Sequence, residues 1–434
     1  MDIDERRTDV LVVGGGLAGL AAATTAARAG RQVTLLEARS EPGGRARTAE
    51  QDGFLLNEGP HALYRQGEGL AVLRDLGIEP RGAEPAVTRA MGYVDGRLGL
   101  LPAGPGSLAR TDLLSWRAKA AFARQLAGIG RLDTTRFVGV PVAEALAGML
   151  ADERARSIVQ GLVRVATYSN DPGHYDAGAA LRQVQRSLDG GVLYLHGGWA
   201  TIVGGLTQAA RAAGVRVVTG EKVQRVEVTP SGVVARTASG ERTAGAAVIT
   251  TGGPAGAADV LGVADGPLRE RATAARPSMV AALDVCLRGS WGSAPTFVMG
   301  LDEPLYLSVH GPTADLAPPG STLVSLAKYL PPDAGADADA DRRQLERLLD
   351  LVQPKWRGEA TSVRFLQRAV ASTDIPTAGT GGLAGRPGTT VDGLPGVHVA
   401  GDWVGPEGLL ADAALASGAA AGRAAAGVRE VAVA

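Results

Sequence analysis

The chain has a single cysteine, Cys286. That excludes an internal disulfide and any metal site built from several thiolates. Aromatic residues are scarce, at 4%. Neither sign of charge is in excess: 44 Lys and Arg stand against 45 Asp and Glu, a formal net charge of −1. No long basic run occurs, which argues against nucleic acid as a partner. Among the 5 histidines, His174, His196 and His310 show no ligand spacing, so no metal is expected. No stretch approaches the roughly 18 uninterrupted apolar residues of a spanning helix. The opening residues, Met1-Asp2-Ile3-Asp4-Glu5, have neither the basic nor the apolar region of a secretory signal. The expected location is the cytoplasm.

Glycine, in contrast, is abundant at 61 of 434 residues, and hydrophobic residues reach 45%. A chain of this length implies two structural domains, or one domain with a large insertion. The first glycines carry the clearest signal. Val10 to Val13 is a short apolar run of the kind found in a buried parallel strand. Gly14-Gly15-Gly16-Leu17-Ala18-Gly19 follows it and opens a helix from Leu17 to Ala29 that Gly30 ends. This is G-x-G-x-x-G in its required setting, a strand before and a helix after. Gly14 permits the tight turn, Gly16 lets a diphosphate approach the backbone, and Gly19 lets the helix lie close on the strand. The helix N-terminus adds partial positive charge.

Gln32 to Glu37 reads as the second strand. Glu37 ends it about 20 residues after the glycines, where a carboxylate accepts from both ribose hydroxyls and repels a 2′-phosphate. NAD and FAD share these features. "EARSEPGGRART" separates them, because Gly43-Gly44-Arg45 supplies a second glycine pair and a cation for the far side of a longer dinucleotide.

Further along, Gly69 to Leu76 looks helical and residues 77 to 190 read as mixed, mostly helical. A basic amphipathic helix lies within Thr111 to Leu132, with Thr111 or Asp112 as its cap. After "GGVLYLHGGWATIVGG" come a helix over Leu206 to Ala213 and alternating strand patterns up to Pro254. "MVAALDVCLRG", "PLYLSVHG" and "STLVSLAKYL" read as strands of an antiparallel sheet. "AGADADADRRQLERLLDLV" reads as a loop entering a helix.

With these residues in hand, the sequence resembles the FAD-dependent amine oxidase and phytoene desaturase superfamily, and is closer to the phytoene desaturase-like branch. Gly14 to Gly19, Glu37-Ala38-Arg39 and Gly43-Gly44-Arg45 match its N-terminal signature. "GFLLNEGPHALY" is similar to the segment that passes beside the flavin, and places Gly59, Pro60 and His61 there. The resemblance implies that Val223 contacts adenine through its backbone and that Thr251 lies on the cofactor. In "VHVAGDWVGPEGLLADAALASG" it implies that Gly401 and Asp402 meet the ribityl chain. Gly408, Leu409, Leu410 and Ala411 would then lead a helix toward the pyrimidine edge. Where amine oxidases often carry an aromatic residue, Leu410 stands.

The implied fold is α/β: a Rossmann-like FAD-binding domain with an inserted α+β substrate domain containing a mostly antiparallel sheet. The expected division is 1–76, 190–255 and 376–434 for the FAD domain, and 77–189 and 256–375 for the substrate domain. The implied cofactor is FAD. The implied activity is hydride transfer between a substrate C–H and flavin N5, on an apolar small molecule, by a dehydrogenase, desaturase or saturase. An amine oxidase and a non-redox isomerase are the alternatives.

His61, Tyr64 and Lys328 are the candidate catalytic side chains, each with a structural role as its alternative. Glu58, Arg65, Trp199 and Trp403 are candidates for the cavity or for packing. Gly252-Gly253-Pro254-Ala255-Gly256 lacks the spacing and the later acid of a second dinucleotide site. The expected electron acceptor is therefore oxygen, a quinone or another carrier. Arg117, Lys119, Arg124 and Arg131 give the helix near Asp112 a basic edge, which allows peripheral contact with a membrane.

Overall fold

The computed structural model describes residues 7–427, apart from 86, 88, 334 and 336. The first strand, Arg7–Val13, lies at the centre of a seven-stranded sheet. Its Val10 to Val12 are fully buried, which is why the run is uninterruptedly apolar. Val33–Leu36 pairs parallel on one side of it and Gly240–Ile249 on the other. Arg216–Val218 extends the sheet beyond Val33–Leu36. Gly240–Ile249 divides its second edge. Its early residues form an antiparallel hairpin with Gly232–Thr237, which pairs with Val223–Thr229. Its last three residues pair parallel with Val397–Val399. Strands from three distant stretches of chain thus meet beside the glycine turn.

Two helices rich in small residues cover this sheet. Leu17–Arg28 crosses Leu410–Ala425 at backbone contact. A Cβ on Gly418 would stand 2.3 Å from the Ala18 carbonyl oxygen, and one on Gly422 would stand 2.4 Å from that of Ala22. The spacing of four puts both glycines on one helix face, so the crossing depends on side chains that are missing.

The second sheet also has seven strands. Their order is Ala360–Ser372, Ser278–Arg288, Ser321–Leu330, Leu305–Val309, Phe297–Gly300, Ala90–Val94 and Arg97–Leu100. Only the pairing of Phe297–Gly300 with Ala90–Val94 is parallel. One face packs Leu283, Val285, Leu307, Val324 and Leu326 against Leu345, Leu348, Leu349 and Val352 of the helix Ala338–Val352. Strand alternation turns Val280, Ala282, Asp284, Ala327 and Tyr329 to the other face.

The middle region, read as mixed and mostly helical, lends the hairpin 90–100 to the second sheet. One feature departs from the sequence reading. The basic helix runs Trp116–Ile129, and its cap is Ser115, whose hydroxyl accepts from the Ala118 N–H at 3.2 Å. Neither expected residue is free to cap it. Thr111 bonds the Leu100 carbonyl, and Asp112 pairs with Arg97. Among the described residues no helix is long and apolar enough to cross a membrane.

Candidate functional site

The glycine turn is built as its spacing requires. Gly14 has φ +106°, and a Cβ there would stand 2.7 Å from Thr250 Oγ1. A Cβ on Gly19 would stand 1.8 Å from the Gly14 carbonyl oxygen. Gly16 is different, since no atom lies within 4 Å of its Cβ position. It caps the helix Leu17–Arg28, whose first N–H groups, at Leu17, Ala18 and Gly19, have no acceptor within the helix.

Glu37 sits 8% exposed beside this turn. Its carboxylate accepts from Gly15 N at 2.6 Å and, across Ala38, from Arg39 N at 2.8 Å. Gly43 N donates to the Gly15 carbonyl at 2.8 Å, and a Cβ on Gly44 would lie 3.3 Å from Gly16 Cα. The second glycine pair is therefore folded onto the first. Thr251 lies beside Gly14, and Glu221 N donates to the Glu37 carbonyl just before Val223 begins its strand.

Arg45 and Asp402 are 357 residues apart and form a two-pronged pair at 3.0 and 3.1 Å. Thr373 adds its N–H at 2.8 Å and its hydroxyl at 2.6 Å. Burial alone would raise the Asp402 pKa, but Arg45 and Thr373 outweigh it and hold the carboxyl down at about 2. Gly401, before it, has φ +152° and donates to Ser417 Oγ. The Gly408 carbonyl accepts from Arg386 at 2.9 Å. Leu410, which follows Leu409, has φ +54°, unusual for leucine, and leads with Ala411 into the C-terminal helix.

The next residue, Asp412, was missed by the sequence reading. It is 2% exposed. Its Oδ1 accepts from Gly69 N at 3.0 Å, while its Oδ2 has no partner among the described residues. Gly67, Gly69 and Gly408 leave room for it, since a Cβ on any of them would come within 2.7 Å of its side chain. Burial, then the neighbouring Glu68 carboxylate, push its pKa up to about 7.

In the unfolded chain an aspartate titrates near about 4. Between there and about 7 the folded state holds a proton that the unfolded state has lost. Stability must therefore fall as pH rises through this window. Asp412→Asn keeps an acceptor for Gly69 and removes the charge. Its melting temperature should exceed that of the parent at about pH 8, with the gap closing toward about pH 5. A gap independent of pH would contradict this assignment.

His61 lies between the two sheets. Its Nδ1 bonds the Gly59 carbonyl at 2.9 Å, and its ring meets Trp199 edge-on at 5.1 Å. Burial lowers its pKa. Gly59 lies against Ala282, and the Pro60 carbonyl accepts from the Tyr168 hydroxyl at 2.7 Å. Tyr64 is buried and donates to the Ala166 carbonyl at 3.0 Å.

The structure does not bring Lys328 to this place. It shares the helix-covered face with Val324 and Leu326, and its Nζ bonds Asp341 of that helix at 2.6 Å. Glu58 pairs with Arg47 and Arg65 with Glu84. Trp199 and Trp403 are both buried.

The scarce aromatics are concentrated here, a grouping that sequence reasoning did not find. Of 7 tyrosines, Tyr168, Tyr306 and Tyr329 pack ring to ring, and the Tyr194 hydroxyl lies 3.4 Å from that of Tyr306. His310 stacks on Tyr194 and bonds Ser308. Burial drives the His310 pKa down to about 3, so its ring is neutral. The Tyr329 hydroxyl is buried with no partner among the described residues.

This arrangement is that of a dinucleotide-binding oxidoreductase fold, with the carboxylate of Glu37, an open glycine at a helix N-terminus and an Arg–Asp pair in succession. The fit to FAD is good, because Gly16 leaves space where a diphosphate must approach and Asp402, met by Arg45 and Thr373, stays ionised at any ordinary pH. Among the described residues no cluster of three His, Cys, Asp or Glu could hold a metal.

Comparison with known proteins agrees. The model of the flavin containing amine oxidoreductases matches residues 17–426. The chain belongs to that family, and its cofactor is FAD. A coproporphyrinogen III oxidase of Propionibacterium freudenreichii is 32% identical over 127 residues, 27% of this chain and 24% of that protein. A phytoene dehydrogenase of Streptomyces griseus is 54% identical over 54 residues, 12% of this chain and 11% of that protein. The matched stretches thus span a quarter or less of these relatives' length. An oxidoreductase from Methanosarcina mazei shares the fold, with TM-score 0.75 at 16% identity over 94% of this chain and 98% of that one.

Proposed function

We propose that this protein is an FAD-dependent dehydrogenase, desaturase or saturase of an apolar small molecule. The observation that carries the reading is the sheet face opposite Gly59 to His61. Val280, Ala282, Ala327, Tyr306 and Tyr329 form it, and the Asp284 carboxylate on it is already held by Arg364 and Ser325. Such a wall suits a neutral substrate with apolar bulk.

Glu37 would hold the adenosine ribose hydroxyls, and the Val223 backbone would meet adenine. Gly16 and the first turn of Leu17–Arg28 would take the diphosphate, with Arg45 as counter-charge. Asp402 would accept from the ribityl chain. Leu409 to Ala411 would present the C-terminal helix to the pyrimidine edge. His61 and Trp199 would form the rim, and the tyrosine wall would exclude water and orient the substrate. When bound, FAD supplies the two-electron chemistry, so hydride moves at a substrate C–H and no side-chain base is required. Oxygen, a quinone or another carrier would be the second substrate, because Gly252 to Gly256 simply opens the helix Gly253–Leu261.

A second reading, an amine oxidase that releases peroxide, draws support from the tyrosine faces, which attract cations. Anaerobic mixing of the flavoprotein with neutral cyclic alkenes and polyenes, and separately with primary amines, tests both. Bleaching of the flavin by the neutral class, or reoxidation of the prereduced protein by it, supports the first reading. Bleaching by amines alone, with peroxide on admitting air, would replace it with the second.

A further inference from the structure

One surface feature lies outside the flavin site. Trp116 is 74% exposed, the most exposed large hydrophobic side chain described. It begins the helix Trp116–Ile129, which buries Ala118, Phe122 and Ile129. The opposite side of the helix carries Arg117, Ala121, Arg124 and Gly128, all exposed, and Arg131 follows just past its end. Arg117, Arg124 and Arg131 are seven residues apart, a spacing that returns to the same helix face. None of the three makes an ion pair with a described acid. Arg117 instead lies over the Trp116 ring, 5.1 Å from its centre. Between Pro105 and Leu132 the only acid is Asp112, which Arg97 already holds at 2.8 Å.

We propose that this helix face docks the protein on an anionic lipid bilayer, with Trp116 at the headgroup level and the arginine row on lipid phosphates. The indole is the side chain best suited to an interface that is apolar below and wet above. The small residues between the arginines let a flat surface approach closely. An unpaired basic row repels a second copy of itself, which argues against a dimer on this face. Docking would also set the protein beside the phase in which an apolar substrate dissolves.

The test is co-sedimentation of the FAD-loaded protein with vesicles of phosphatidylcholine alone and of phosphatidylcholine with phosphatidylglycerol. Binding is expected only with phosphatidylglycerol, and it should be lost at high salt. Trp116→Ala, and Arg117→Glu with Arg124→Glu, should each lower partitioning by at least about tenfold. Their visible spectrum and melting temperature should stay unchanged, since neither site touches the flavin cradle.

Three outcomes would overturn the proposal. They are no binding to either vesicle, equal binding by parent and variants, and a concentration-dependent dimer that the arginine variant abolishes. Sedimentation follows total protein, so its result stands whether or not the flavin assignment does.

Discussion

Gly16→Val should yield a folded protein that has lost its flavin. The Cβ position of Gly16 meets nothing within 4 Å, and its backbone is extended, with φ −75° and ψ −176°, which any L-residue adopts. The fold therefore has no objection to a side chain there. A diphosphate does, because it must reach the N–H groups of the first helical turn at close range. Hydrogen bonds to charged groups contribute about 1.5–3 kcal/mol each, so the loss of two lowers FAD affinity by about 100-fold or more. Gly19→Val provides the contrast. Its Cβ would stand 1.8 Å from the Gly14 carbonyl oxygen, so the helix cannot lie on the strand and the protein should fail to fold. Circular dichroism and FAD titration separate the two. A Gly16→Val protein that keeps its flavin would show that the diphosphate lies elsewhere.

The second large effect lies between the two sheets. Arg364 binds Asp284 at 2.6 Å through Nη2, and its guanidinium also reaches the carbonyls of Leu56 and Asn57. Asp284 is 2% exposed, and burial raises its pKa even beside this cation. Arg364→Leu strands the carboxylate and should cost about 3–5 kcal/mol in denaturant unfolding. Without the cation, Asp284 should bind a proton more readily, so the deficit should shrink as pH falls. Adding Asp284→Asn removes the charge and should recover a substantial part of it. A loss of under about 1 kcal/mol, as for an exposed pair, would show that the link does not hold the sheet to the segment before Gly59.

What the sequence made legible follows from range. Val10 to Val13, the glycines and Glu37 lie within one βαβ unit, so period and spacing alone located the turn. The C-terminal residues were placed by motif, but the bond from Arg45 to Asp402 could not be read across a separation of 357 positions. The tyrosines escaped for the same reason, since Tyr168, Tyr194, Tyr306 and Tyr329 belong to different elements that meet only in three dimensions.

Asp412 carried a local signal that went unread, a lone acid in "LLADAALASG" that falls in the first turn of an otherwise apolar helix. For Lys328 the signal was its own strand, because alternation puts it with Val324 and Leu326 and not with Ala327 and Tyr329. The cap at Ser115 shows a competing demand, with Thr111 drawn to Leu100 and Asp112 to Arg97.

The most direct measurement is the visible spectrum of the purified protein, before and after anaerobic photoreduction, with the released cofactor identified. An oxidised-flavin band from one FAD per chain, bleaching on illumination and returning with an acceptor, is the expected result. Protein that shows no such band even after incubation with FAD would contradict the assignment of Gly16, Glu37, Arg45 and Asp402 as a flavin cradle.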